Sequence, residues 1–92
     1  MNGVECNIMS EEEFDVLDEL YFVQSFSYLL EELEMEAKAL KQVLTSLYEK
    51  GWVKCFLNMH EEALPEEVKL DAHYQDYFYL ATKAGLMAHN GR

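Results

Sequence analysis

Four polar side chains have the spacing that one helix face needs to read nucleic acid. They are Lys38, Lys41, Gln42 and Thr45, and each of them lies three or four positions from two of the others. Lysine contacts phosphate or guanine, glutamine pairs with adenine, and threonine touches the methyl group of thymine. The alternative is an ordinary solvated helix face, because a surface helix needs polar residues there in any case.

Groups for catalysis or metal binding are dispersed along the chain. Cys55, His60 and His73 come nearest to a ligand set, and their spacing matches no recognised zinc pattern. The four glycines are isolated, so no glycine-rich phosphate loop is predicted. We therefore predict neither an enzyme nor a bound metal or cofactor.

The net charge of −11 lies in the first two-fifths of the chain. Residues 1–37 contain eleven acidic residues and no lysine or arginine, whereas residues 38–92 contain seven of each sign. Duplex-binding proteins neutralise phosphates with lysine and arginine, so this balance weakens the nucleic-acid hypothesis. The charge either keeps a small protein soluble or forms an acidic face for a basic partner.

Apolar spacing and capping residues predict two helices in the first part of the chain. Ser10 and Glu13 form a capping box, and the helix that they begin covers residues 11–24. Ser25 caps a second helix, which ends near Glu34.

A third helix, two strands and a last helix follow. The third helix covers residues 36–50, and Gly51 ends it in the left-handed conformation that favours glycine. Strands are predicted over residues 52–57 and 77–80. Thr82 then caps the last helix.

The first helix carries more apolar residues than one core stripe needs. The surplus either packs against both later helices or forms the face of a homodimer, and the sequence favours neither. The candidates for a dimer face are Val16, Phe22 and Val23, with help from Leu86 and Met87 on the last helix.

One domain is predicted over residues 1–92, with a loose N-terminus over residues 1–9. No apolar run approaches the roughly 20 residues of a membrane span, and the N-terminal sequence lacks the features of a secretory signal. We therefore expect a cytoplasmic protein without a membrane partner, in which Cys6 and Cys55 are free thiols.

Residues 25–53 resemble the helix-turn-helix of winged-helix proteins. Ser25 and Leu29 match the cap and first leucine of the second helix in that superfamily, and Leu33 matches the leucine that closes it. The recognition-helix pattern follows without insertion as Leu44, Leu47, Tyr48, Glu49, Lys50, Gly51, Trp52 and Val53. Over residues 11–89 the chain is similar to transcriptional regulators of the MarR, ArsR and PadR groups.

The resemblance implies an α+β, mainly α fold. Its parts are a three-helix core, a two-stranded β-wing and a short C-terminal helix. Winged helices bind DNA, bind proteins or dimerise, so the resemblance leaves the function open.

Three departures from the superfamily pattern bear on function. Glu34 stands where the turn before the recognition helix usually has glycine, and Glu36 and Ala37 replace a small hydroxyl residue at the start of that helix. The wing, residues 58–76, contains six acids and one lysine, where DNA binders usually carry basic residues. One helical turn is predicted inside it, over residues 64–68.

These observations favour a small stand-alone regulatory protein that acts mainly through protein contacts, either with itself as a homodimer or with another protein. The alternative is a DNA-binding transcriptional regulator that uses the exposed face of the helix over residues 36–50. Because of the acidic charge, we expect DNA binding to be weak at best.

Overall fold

The computed structural model describes residues 8–91 and shows an α+β fold that is mainly helical. Among these residues the helices are α1 (Glu11–Glu19), α2 (Phe26–Leu33), α3 (Ala37–Glu49), α4 (Leu70–His73) and α5 (Lys83–Asn90). The strands are β1 (Gln24–Ser25), β2 (Val53–Phe56) and β3 (Phe78–Ala81). A short 3₁₀ helix, Pro65–Glu67, lies between β2 and α4 and confirms the predicted turn in that loop.

The three strands form one antiparallel sheet in the order β1-β3-β2, so the last of them in the chain lies at the centre. In β2, Val53 pairs with Ala81 and Phe56 pairs with Phe78. β1 pairs with the other edge of β3. The sequence does not predict β1, because a strand of two residues has no periodicity of its own.

The core lies between α1, α2, α3 and the inner face of the sheet. Its fully buried residues include Val16, Leu17, Leu20, Leu29, Leu40, Leu44, Leu47 and Tyr79. The predicted burial of Leu40, Leu44 and Leu47 on one side of α3 is therefore confirmed. Burying each such side chain contributes about 1.5–3 kcal/mol.

Hydrogen bonds confirm the predicted caps. Ser10 and Glu13 form the reciprocal capping box of α1. The hydroxyls of Ser25 and Thr82 each accept a backbone bond at the start of α2 and α5. Gly51 follows α3 with φ 78°, in the left-handed region.

The turn between α2 and α3 holds a glutamate in the left-handed conformation. Glu34 has φ 53° and ψ 42°, and such a conformation costs a residue other than glycine about 1–3 kcal/mol. The turn therefore keeps the backbone shape that glycine favours at a helix C-terminus, although glycine is absent.

The sheet has three strands where two were predicted, and several predicted bounds differ from the observed ones. Helix 1 ends at Glu19 instead of residue 24, because the chain turns at residues 20–22 to bring β1 alongside β3. The returning strand begins one residue later, at Phe78. The loop before it contains α4 in addition to the predicted turn.

Among the described residues, no helix is long and apolar enough to cross a membrane. The predictions for Cys6 and for residues 1–7 of the loose N-terminus lie outside the described range.

Candidate functional site

The outer face of α3 carries the four residues selected for contact with DNA. Lys38, Lys41, Gln42 and Thr45 line one open groove of about 400 Å³. The structure thus brings these predicted residues together, as their helical spacing requires. Asp71 reaches the same groove from α4 and adds an acid to a surface that would meet phosphates.

A second groove of about 500 Å³ separates α3 from residues 68–72. It shares Thr45, Glu49 and Asp71 with the first, so the two form one depression along the helix. A duplex that approached α3 would therefore also meet residues 68–72.

Lys41, in the middle of this face, is already engaged within the molecule. Its Nζ lies 3.1 Å from a carboxylate oxygen of Asp71 and 5.2 Å from the ring centre of Tyr74. The Asp71 side chain is 99 % exposed, so this ion pair is a surface interaction of modest strength. It nonetheless directs the lysine towards α4.

A different lysine closes a buried cluster between α1 and the end of α3. Lys50 Nζ donates to both carboxylate oxygens of Glu13, at 2.8 and 2.9 Å. The Ser46 hydroxyl and the backbone N–H of Ser10 donate to the same carboxylate. Lys50 also lies 4.8 Å from the ring centre of Trp52. We call Ser10, Glu13, Ser46 and Lys50 the Glu13 cluster.

The Glu13 cluster favours the charged carboxylate. Burial alone raises the pKa of Glu13, but the hydrogen bonds from Lys50, Ser46 and Ser10 outweigh it and hold the pKa below its usual range. Glu13 is only 4 % exposed, so this is a structural ion pair. Sequence reasoning found the bond between Ser10 and Glu13 but missed the lysine, which is 37 residues away.

The outer side of the sheet carries a second lysine–glutamate pair. Lys54 Nζ lies 3.5 Å from Glu62 and 5.8 Å from the ring centre of Phe56. Glu62 forms an isolated antiparallel bridge with Phe56. This bridge places the segment around Glu62 along the free edge of β2. Both side chains of this pair are partly exposed.

Apolar side chains share this outer side with the pair. Phe56 is paired with Phe78, and Lys54 with Leu80, so their side chains project from the same face. All four are half-buried, whereas Val53, Cys55, Tyr79 and Ala81 on the opposite face belong to the core. We call Ser25, Lys54, Phe56, Glu62, Phe78 and Leu80 the outer sheet face.

Residues 58–76, the segment predicted to form a wing, are acidic and partly apolar at the surface. All six of its acidic side chains are exposed: Glu61, Glu62, Glu66, Glu67, Asp71 and Asp76. Met59 and Leu64 are exposed as well, and so is Leu57 just before the segment. Such a surface repels a phosphate backbone and suits contact with protein.

The residues predicted for a dimer face on helix 1 do not form one surface. Val16 is fully buried in the core, so this part of the prediction is wrong. Phe22 is 75 % exposed and Val23 is half-buried, but both lie in the turn beyond α1. The exposed positions of α1 are acidic instead: Glu11, Glu12, Asp15 and Asp18. Like charges there oppose self-association through α1.

Within residues 8–91, no group of three or more His, Cys, Asp and Glu residues is arranged to hold a metal ion. Cys55 is a free thiol in the core, and burial raises its pKa to about 12. Its sulfur therefore stays protonated and is a poor nucleophile.

A histidine on α5 makes a contact that sequence reasoning missed. The His89 ring stacks on Phe14 with 4.2 Å between centres, and its Nδ1 lies 2.9 Å from the Tyr21 hydroxyl. Its Nε2 is buried 3.4 Å from Asp18. These contacts fasten α5 to α1. No sequence signal reveals them, because the residues are about 70 positions apart.

The chain matches no protein-family model, no curated protein and no solved structure.

Proposed function

We propose that this chain is a small winged-helix regulatory protein that acts through contacts with protein rather than with DNA. The winged-helix assignment is supported by the element order, in which α1, α2 and α3 are followed by β2, a long loop, β3 and α5. The short strand β1 lies between α1 and α2, and α4 lies within the loop. It is also supported by the burial of the leucines on α3, which carry the resemblance to that superfamily.

One observation carries the preference for protein over DNA: the surface that would meet DNA has few available cations. Among the described residues, Lys41 pairs with Asp71 and Lys50 is held in the Glu13 cluster. Lys54 lies on the outer sheet face and lines neither groove beside α3. Of the other lysines, Lys38 and Lys69 line the grooves beside α3. Two or three neutralised phosphates give only a weak, salt-sensitive affinity.

The second candidate is a DNA-binding regulator. It is favoured by the groove that unites Lys38, Lys41, Gln42 and Thr45. The acidic wing beside that groove is the reason for ranking it lower.

A fluorescence anisotropy titration with mixed duplex fragments tests the choice. We expect no tight binding at about 0.15 M salt, and in dilute salt a log–log slope of about −2 to −3. Asp71→Asn, which releases Lys41, should strengthen this weak binding slightly. Nanomolar binding that Lys41→Glu abolishes and Lys83→Glu preserves would reject protein contact as the main function.

A further inference from the structure

We infer that the outer sheet face is the contact surface of a homodimer, in which the sheets of two copies of this chain pack face to face. The inference names one protein partner and so rests on the proposed function. It differs from the dimer expected through helix 1, which would use another side of the molecule.

The apolar character of this face is the first argument. An antiparallel sheet with one face on the core normally turns polar side chains to water on the other. Here the outward residues of β3 are Phe78 and Leu80, and Phe56 stands opposite Phe78 on β2. None of the three packs against the core within the described chain. A second sheet, packed about 10 Å away, would remove them from water.

The charge of the outer sheet face is the second argument. It indicates that the partner bound to this face is a second copy of the chain. The charged residues that the strand register places on this face are Lys54 and Glu62, one of each sign. The face is therefore locally neutral in a chain of net charge −11. In a dimer with two-fold symmetry, residue i of the first copy contacts residue j of the second, and residue j of the first copy contacts residue i of the second. Lys54 of each copy can then meet Glu62 of its mate, so the face is complementary to itself.

Other surfaces of the described part of the molecule do not combine apolar side chains with a neutral local charge. The wing and α1 expose several acids, so pairing either with its own copy would bring like charges together. Phe22 and Met87 are exposed apolar residues, but neither belongs to the sheet.

Sedimentation equilibrium of the whole chain measures the association directly. We expect the mass to rise from 10.8 kDa towards twice that value with concentration. Phe56→Thr with Leu80→Thr keeps residues that favour strands and should weaken the dimer at least about tenfold, or about 1.4 kcal/mol. Phe22→Ser is the matched control and should leave the mass unchanged. Circular dichroism checks that each variant is folded.

Charge reversal identifies the arrangement. Lys54→Glu and Glu62→Lys should each weaken self-association about tenfold, because each puts like charges across the two-fold axis. An equimolar mixture of the two variants should associate as tightly as the original chain, because each interfacial pair then regains opposite signs. An ion pair confined within one chain cannot give this recovery.

Three results would overturn the inference: a monomer at every concentration, a dimer weakened only by Phe22→Ser, or a mixture that fails to recover. None of them would restore DNA binding, so the proposed function is tested separately by the DNA titration.

Discussion

The Glu13 cluster and the outer sheet face each contain a lysine that pairs with a glutamate and lies over the aromatic ring two residues further on. In the cluster, Lys50 and Glu13 are 2.8 Å apart, with side chains 16 % and 5 % exposed. On the sheet, Lys54 and Glu62 are 3.5 Å apart, with side chains 37 % and 52 % exposed.

The difference between the two pairs is the water around them. Two additional donors satisfy the buried carboxylate of Glu13, so the pair works as an internal brace between α1 and α3. The exposed pair gains little from its own attraction, because water screens it. The same two residue types thus support the fold in one region and remain available to a second molecule in the other.

Replacing each lysine should give the largest difference in stability between the two regions. Lys50→Met leaves the Glu13 carboxylate buried without its cation and should lower the free energy of unfolding by about 3–5 kcal/mol. Lys54→Met should cost less than about 1 kcal/mol. Urea denaturation measures both, and equal losses would contradict the distinction.

Shortening apolar side chains compares the core with the outer face. Leu47→Ala removes a fully buried side chain and should cost about 2–5 kcal/mol. Leu80→Ala, on the half-buried face, should cost clearly less in dilute monomer. If Leu80→Ala proved as costly as Leu47→Ala under those conditions, the outer side of the sheet would be part of the core.

Acid should weaken the Glu13 cluster. The pKa of folded Glu13 is lowered, so its stabilisation is complete above the unfolded value of about 4.3 and is lost as the pH falls through the folded value. Denaturation between pH 7 and pH 3 should therefore show a shallower pH dependence for Glu13→Gln than for the original chain. Equal pH dependences for Glu13→Gln and the original chain would contradict this role of the Glu13 charge.

Local features of the fold could be predicted from the sequence. Ser10, Ser25, Thr82 and Gly51 act within a few residues of their own positions, so their roles follow from short patterns. The end of helix 1 could not be predicted, because the apolar pattern continues through residues 21–23. Only the pairing of β1 with a strand more than fifty residues later explains the turn there.

In the candidate site, too, contacts within one helix could be predicted from the sequence, whereas contacts between distant residues could not. Lys38, Lys41, Gln42 and Thr45 meet in one groove because a single helix carries them. The partner of Lys41 is Asp71, and a bond between residues thirty positions apart follows only from the folded chain. The outer sheet face likewise depends on strand register, which the sequence of either strand leaves open.

The central position of β3 also governs when the protein can fold during its synthesis. Among the described residues, the edge strands β1 and β2 pair only with β3, which is the last of these three strands to leave the ribosome. Until residues 78–81 emerge, Val53 and Cys55 have no strand to pair with, and the core leucines have no sheet to pack against. Formation of the sheet must then wait for contacts between distant residues, which slows folding and exposes apolar segments to other nascent chains.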